Sequence, residues 1–257
     1  MVLLMMTTSH LGLYYATRKK IQRAARREKN NTNTMDLLEF KKKHIKESLE
    51  ITDDFGIIYT FIDFANVNHW FEDDWYNFDG SALEKNEKLT IDIEKLKDFT
   101  ELFSDDMRFY YGLDNENPGS FRFIRRARDV FGKRRVFTKP IQKVRHYLAQ
   151  KDLSINTRTT RADKEGTFVL LPKCNFDVEI CVDAIKTADG YKTFCLFSGD
   201  ADFVHLARFL KSKGKNIILV KGGYILHSLR RIADIVISAQ DIKQYITVKR
   251  AKPSQNG

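Results

Sequence analysis

The sequence predicts an α/β protein with a central, mainly parallel β-sheet. Apolar runs of strand length alternate with amphipathic helical segments through most of residues 55–246. The runs are continuous, without the polar alternation of a half-exposed strand, which is typical of strands covered on both faces. Regular alternation of strands and helices favours a doubly wound sheet with helices on either side.

The chain divides into three parts. With 257 residues, of which 42% are hydrophobic, it is long enough for one main domain with a small appendage. We assign residues 51–248 to the α/β domain, residues 1–50 to an N-terminal basic extension with an amphipathic helix, and residues 249–257 to a tail that we expect to fray. The extension contains a basic arm at residues 17–29, with seven Lys or Arg and one Glu.

Each element of the α/β domain follows from its local pattern. Strands are predicted at residues 55–63, 107–113, 134–139, 194–197, 216–220 and 234–237. Helices are predicted at residues 92–103, 121–131, 175–185, 200–213, 225–232 and 240–246, after one at 35–49 in the extension. In the helix at 175–185 we expect Val178, Cys181, Val182 and Ile185 to face the core. Residues 68–90 indicate an irregular insertion, and the basic stretch 143–166 indicates a mobile loop or a long hairpin.

Several classes of protein are disfavoured. The three cysteines form no CxxC pair, which argues against a disulfide framework or a zinc site and favours reduced thiols in the cytoplasm. Neither a GxGxxG nor a GxxxxGK[ST] motif occurs, so dinucleotide and P-loop binding are unsupported. Positive charges follow the apolar N-terminal residues where a signal peptide has them in front, so we expect no membrane partner.

Charge is distributed unevenly along the chain. The formal net charge is +10, yet residues 121–165 contain 14 Lys or Arg against 4 Asp or Glu, and residues 51–120 contain 5 against 17. A basic block beside an acidic one suggests a polyanion held near a carboxylate site. The candidate RNA-binding cations are Arg122, Arg125, Arg126, Lys143, Arg145, Arg158 and Arg161. For the three of these arginines in the helix at 121–131 a solvated polar face is the simpler alternative, whereas the basic stretch 143–166 is a natural place for contacts to the substrate backbone.

Four aspartates are predicted to meet at one edge of the sheet. Asp63 ends the first strand, Asp200 and Asp202 follow the turn after another strand, and Asp177 opens a helix. In open α/β sheets the carboxyl ends of the strands form the ligand-binding edge. Taken alone, Asp200 or Asp202 is explained equally well as a helix cap. Asp183 lies six residues after Asp177, about 120° away around the helix, so both cannot face the same site directly.

Clustered carboxylates stay ionised only when a cation is near. Oxygen donors without grouped His or Cys favour Mg²⁺ or Mn²⁺ over zinc. Such ions lower the pKa of bound water and stabilise the charge that develops on a phosphodiester under attack. The acidic edge therefore predicts a metal site, and the basic block predicts contacts to a nucleic-acid backbone.

Three motifs occur in order along the chain: FIDFANV at 61–67, FDVEICVDAI at 176–185 and SGDADFVHLARFLKSKGKNIILV at 198–220. Together they resemble the NYN domain family, in particular its LabA-like branch within the PIN-like nucleases. The resemblance implies a PIN-like three-layer α/β/α sandwich and an endoribonuclease that hydrolyses single-stranded RNA with metal-activated water. By motif position it implies that Asp63, Asp177, Asp200 and Asp202 bind Mg²⁺ or Mn²⁺, that Asn66 joins them in catalysis, and that Asp183 and Ser198 support them. Lys173 stands four residues before Asp177, whereas the family usually has a lysine three residues before that acid.

Two other functions were weighed against the nuclease. A catalytically weak RNA-binding or scaffold module with the same fold has no use for the mutual repulsion of four aspartates. A phosphatase of the haloacid dehalogenase type needs a second Asp two residues after the first, but Phe64 and Ala65 follow Asp63. The RNA target and the oligomeric state, including a possible homo-oligomer, stay open.

Overall fold

The computed structural model describes residues 36–149 and 159–252. The chain separates into two compact units, residues 1–49 and residues 50–257. In the first unit helix α1 covers residues 36–48, within the predicted helix. The predicted basic arm at 17–29 and the candidate cation Arg158 lie outside the described residues.

The second unit contains alternating strands and helices. Its strands are β1 (Ile58–Asp63), β2 (Glu87–Ile91), β3 (Asp106–Tyr110), β4 (Val136–Phe137), β5 (Gln142–Tyr147), β6 (Thr160–Asp163), β7 (Gly166–Lys173), β8 (Thr193–Phe197), β9 (Asn216–Lys221), β10 (Ile235–Ser238) and β11 (Thr247–Ala251). Its helices are α2 (Phe64–Val67), α3 (Ile93–Thr100), α4 (Pro118–Phe131), α5 (Asp177–Lys186), α6 (Val204–Ser212), α7 (His227–Ile232) and α8 (Ala239–Ile246).

Six of the strands form the central sheet, and all its pairs are parallel. The strand order is β10-β9-β8-β1-β3-β4. The continuous apolar runs are the central strands, since every residue of β8 is buried. Helix α3 contacts both α4 and α8, while α5, α6 and α7 pack into one apolar core on β8 and β9. The predicted α/β/α sandwich with a parallel sheet is confirmed.

Helix α5 packs through a different face from the predicted one. The buried residues are Ile180 and Ala184, whereas Val178, Val182 and Ile185 are 72%, 41% and 47% exposed. Both sets recur at helical spacing, so periodicity alone could not choose between them. The buried Phe176, directly before the helix, lies four residues before Ile180 and extends the buried stripe. The prediction that Val178, Val182 and Ile185 face the core is wrong.

Two small antiparallel sheets complete the unit. Strands β5, β7 and β6 form a three-stranded sheet in that order, so the basic stretch 143–166 is in its described part an extended hairpin structure. Strand β11 pairs with β2, and residues 249–251, assigned above to the tail, are the end of β11. The first pair joins Thr247 to Ile91, 156 residues earlier in the chain, a separation beyond the reach of a local sequence pattern.

None of the helices in the described residues is both long enough and apolar enough to cross a membrane.

Candidate active site

Asp63 lies at the carboxyl end of the central strand β1. Its neighbours in the sheet are β8 on one side and β3 on the other, where Asp63 is in register with Tyr110. The residue is only 8% exposed. A carboxylate with so little contact with water needs partners, because burial penalises its charged form.

The turn after β8 brings Asp200 next to Asp63. The Ser198 hydroxyl is fully buried and donates to Oδ2 of Asp63 at 3.5 Å, while accepting from the backbone N–H of Asp200 at 3.2 Å. Asp200 in turn accepts from the Asp202 N–H at 3.0 Å and caps the short 3₁₀ turn before α6. The capping alternative is therefore correct for Asp200, and capping leaves its second carboxylate oxygen available for another contact.

Asp177, on the first turn of α5, completes a group of three acids. One carboxylate oxygen from each of Asp177, Asp200 and Asp202 lies within 4.8 Å of the others, and Asp63 is outside this group. Asn175, two residues before Asp177, makes two hydrogen bonds to it. Its side-chain oxygen accepts a hydrogen bond of 2.6 Å from the Asp177 N–H, and its NH₂ group donates to the Asp177 carboxylate. Three convergent carboxylate oxygens are a donor set suited to Mg²⁺ or Mn²⁺.

The acids influence one another electrostatically. Burial, followed by the charges of Asp177 and Asp200, raises the pKa of Asp63 to about 6, against the opposing effect of the Asn66 and Ala65 backbone amides. Burial also raises the pKa of Asp177, to which the charges of Asp200 and Asp202 add, while the hydrogen bond from Asn175 opposes the shift. A divalent cation would reverse both shifts, because it favours the charged carboxylates.

The orientation of the Asn66 amide is fixed by an aromatic partner. The Trp70 indole N–H can only donate, and it donates to the Asn66 side-chain oxygen at 2.9 Å. Trp70 is itself held against Phe197, with ring centres 6.0 Å apart, and against Gly222, where an added Cβ would lie 2.5 Å from the indole. With its oxygen turned to Trp70, Asn66 presents its NH₂ group as a donor.

Asp183 faces away from the three clustered acids. It accepts from the Tyr110 hydroxyl at 2.7 Å and lies 3.4 Å from the Arg108 guanidinium. Tyr110 packs on Phe176, the residue before Asp177, with ring centres 5.8 Å apart. Asp183 therefore contacts the ring that packs beside the start of α5, and none of the four candidate metal ligands is among its partners in the described residues.

The candidate cations of helix α4 are exposed, and one is in an acidic environment. Arg122 and Arg125 are exposed. The Arg126 guanidinium lies 3.1 Å from Glu94 and 3.9 Å from Asp92, both at the start of α3. A phosphate would have to compete with these two carboxylates for Arg126.

Three of the candidate cations share one face of the three-stranded sheet. Arg145, in β5, is in register with Leu170, and Lys143 with Pro172, while Arg161, in β6, is in register with Phe168. Since side chains alternate along a strand, Lys143, Arg145 and Arg161 lie on the same side as Phe168. We call these four residues and Tyr147 the basic face.

Acidic and aromatic groups hold the basic face in place. The Arg145 guanidinium lies 5.0 Å from the Phe168 ring centre and 2.8 Å from the Asp163 carboxylate. Lys143 forms an ion pair with Glu116 and lies 3.8 Å from Asp114. Such exposed pairs contribute little to stability, so a bound phosphate backbone can replace the carboxylates at small cost.

Two residues beside the acids were missed in the sequence analysis as contributors to the site. Lys139 follows β4 and donates to Glu179, two residues after Asp177, at 2.6 Å. Trp70 donates to Asn66 and so connects the insertion at 68–90 to the site. A lysine after a strand forms no recognisable motif, so Lys139 had no local signal in the sequence. For the contact between Trp70 and Asn66, the i, i+4 spacing of the two residues was the only local signal.

Comparison with known proteins agrees with this architecture. The NYN domain family matches residues 58–242, which is most of the chain and includes all four candidate metal ligands. The chain therefore belongs to the NYN domain family, which is part of the PIN-like nuclease superfamily. PIN-like nuclease domains generally use divalent metal ions.

Two individual proteins resemble parts of the chain. The low amplitude and bright protein LabA of Synechococcus elongatus is 36% identical over 75 residues, which are 29% of this chain and 40% of LabA. The match thus spans less than half of LabA, and it supports the LabA-like branch of the family. A crystal structure of a protein of unknown function from Vibrio parahaemolyticus covers 77% of this chain and 99% of its own, with 19% identity and a TM-score of 0.47.

Proposed function

We propose that this protein is a Mg²⁺- or Mn²⁺-dependent endoribonuclease that acts on single-stranded RNA. The observation that carries the proposal is the convergence of the Asp177, Asp200 and Asp202 carboxylates within 4.8 Å of one another. Asp63, buried at the end of the neighbouring strand, adds a fourth negative charge. Family membership gives this acidic group the chemical context of a nuclease.

Binding a cation is the role that accounts for four mutually repelling acids at one place. Asp177, Asp200 and Asp202 would hold the cation, with Asp63 completing the site from β1. A bound cation of this type lowers the pKa of water and offsets the charge that grows on the attacked phosphate. Ser198 keeps Asp63 and the Asp200 turn at a fixed separation through its two hydrogen bonds.

Asn66 and the cations would orient the RNA. Asn66 donates from its NH₂ group to a phosphate oxygen, because its carbonyl oxygen is engaged by Trp70. Lys143, Arg145 and Arg161 on the basic face would contact the phosphate backbone, as would Arg122, Arg125 and Arg126 on α4. Single strands suit this surface, because exposed aromatic rings can stack on unpaired bases.

The test is cleavage of matched RNA and DNA substrates by wild type and Asp200→Asn. We expect wild type to cleave single-stranded RNA with Mg²⁺ or Mn²⁺ and to stop when a chelator is added. Asp200→Asn should lower the rate by a factor on the order of 10² or more, since one metal-binding charge is lost. Asp129→Asn, at an exposed position of α4, is the control and should cleave like wild type.

The comparison also separates the nuclease from its rival. RNA binding without metal-dependent cleavage would favour the scaffold module. Cleavage that is equal in Asp200→Asn and wild type would exclude catalysis at these acids. Thermal unfolding of both proteins shows whether any loss of activity comes from misfolding.

A further inference from the structure

A polar cavity opens next to the acidic group. It has a volume of about 350 Å³ and lies between the segment after β4 and the segment that leads from β7 into α5. Lys139, Gln142, Lys173, Cys174 and Asn175 line it, and its lining in the described part of the chain includes no Asp or Glu. Its volume is at the lower end of the range for small-molecule sites. The two lining lysines, of which Lys139 is paired with Glu179 outside the lining, favour an anionic ligand.

Lys139 is held rigidly at this cavity. Its backbone oxygen accepts from the Leu113 N–H at 2.9 Å, which anchors the chain directly after β4. Its ammonium group lies 4.8 Å from the centre of the Phe176 ring and donates to Glu179 at 2.6 Å. An ammonium group has three N–H donors, so two remain for a ligand after the bond to Glu179.

The cavity and the acids share structural elements. Asn175 lines the cavity and also makes both hydrogen bonds that fix Asp177. Phe176, beneath the Lys139 ammonium group, directly precedes Asp177. The Cys174 thiol, another lining group, is within electrostatic reach of both Lys139 and Asp63. The cavity and the acidic group are therefore connected through Asn175 and Phe176.

We propose that the cavity at Lys139 and Lys173 is a subsite that binds a backbone phosphate of single-stranded RNA adjacent to the phosphate that is cleaved. The proposal rests on the proposed function and deepens it, because it says where the strand is held next to the acids. Lysine acts as a point charge toward phosphate, and Lys139 is pre-positioned by Glu179 and Phe176. The neighbouring basic face continues the cationic surface, since Gln142 of the cavity and Lys143 are consecutive residues of β5.

The test compares two variants that break the same ion pair. Lys139→Gln removes the cation, whereas Glu179→Gln removes its carboxylate partner and keeps the cation. Binding of a short fluorescent single-stranded RNA is measured with a chelator present, so the result does not depend on cleavage. We expect Lys139→Gln to weaken binding about fivefold near ~0.1 M salt and to reduce the slope of log affinity against log salt by about 0.7, the value for one phosphate contact on a single strand.

The control variants make the outcome specific. Glu179→Gln should bind as tightly as wild type or more tightly. Lys186→Gln, at the opposite end of α5, should bind like wild type. A single-stranded DNA of the same sequence should lose affinity to the same extent with Lys139→Gln. A loss confined to RNA would overturn phosphate as the ligand.

Other outcomes distinguish failure of the subsite from failure of the proposed function. Unchanged affinity in Lys139→Gln, or equal losses in Lys139→Gln and Glu179→Gln, would overturn the subsite, because the pair would then be structural. In the cleavage assay the subsite predicts a raised KM with an unchanged kcat for Lys139→Gln, whereas loss of a metal ligand lowers kcat. Cleavage that survives Asp200→Asn would overturn the proposed function and leave the affinity comparison intact.

Discussion

The six-stranded sheet and the three-stranded sheet arrange charge in opposite ways. At the edge of the six-stranded sheet, like charges meet in a partly buried place, and none of Asp63, Asp177, Asp200 and Asp202 forms an ion pair within the described residues. On the three-stranded sheet, two exposed cations lie beside acids, Arg145 beside Asp163 and Lys143 beside Glu116.

The difference indicates which region needs an external partner. Opposite charges paired at the surface compensate one another and contribute little to stability. Like charges held together by the buried sheet cannot relax apart, so their repulsion persists until a cation binds. We therefore expect a bound cation to stabilise the acidic edge, whereas the basic face needs no ligand for its stability.

The largest expected difference between the two sheets concerns stability. Phe61 in β1 is fully buried and packs on Phe194 with ring centres 5.0 Å apart. Phe61→Ala should lower the free energy of unfolding by about 3–5 kcal/mol, the usual cost of deleting a buried aromatic ring. Val144→Ala in β5, at a side chain that is 44% exposed, should change it by less than about 0.5 kcal/mol.

Urea unfolding of the two variants measures this difference. Similar losses would mean that the three-stranded sheet is as important for global stability as the central sheet, against the expectation from burial.

How far the sequence could predict the molecule differs between the same two regions. In the six-stranded sheet a continuous apolar run is stable only when both of its faces are buried. The strands β1 and β8, and the aspartates at their ends, were therefore predicted from local pattern and motif. In the three-stranded sheet every residue of β5 is exposed. Strands β5 and β6 have no buried apolar residues to fix their placement, so a loop and a hairpin were equally compatible with the sequence there.

Local pattern also failed where two solutions were equivalent. On α5 the stripe through Val182 and the stripe through Ile180 have the same period, and only the tertiary contact of Phe176 with Tyr110 distinguishes them. Likewise Lys139 and Glu179 are 40 residues apart, so no spacing could have joined them. Long-range pairing of side chains, rather than any motif, determines these parts of the site.

The second prediction concerns pH, because the stability of the two regions should change with pH in opposite directions. Burial and neighbouring charge raise the pKa of Asp63 from 3.8 to about 6. Between these values the folded state binds more protons than the unfolded chain, so stability falls as pH rises. In a chelator we expect a loss of up to about 2–3 kcal/mol between pH 4 and pH 7 from this group, and Mg²⁺ or Mn²⁺ should recover part of it at pH 7.

For Asp163 on the three-stranded sheet the pKa is shifted in the opposite direction. Burial would raise its pKa, but hydrogen bonds from the Glu165 N–H and Tyr147, with the charge of Arg145, lower it below its usual value. Its contribution is therefore present above pH 4 and is lost as pH falls. Thermal melts across pH should show a flatter profile for Asp63→Asn than for wild type, and parallel profiles would contradict the assignment.

The smallest expected effect distinguishes the two groups of candidate RNA-binding cations. Arg161 lies on the basic face, on a strand that pairs with the one leading to Asp177. Arg126 lies beside two carboxylates, Glu94 and Asp92 on α3, so its charge is compensated more fully than that of a cation with one acidic partner or none. Arg161→Gln should weaken binding of single-stranded RNA by a factor of about 2–5 and lower the salt slope by about 0.7, while Arg126→Gln should have less than about half that effect on log affinity. Fluorescence titrations at several salt concentrations measure both quantities.

Equal effects of the two variants would extend the RNA path over α4. A larger effect of Arg126→Gln would place the RNA strand on α4 instead of the three-stranded sheet.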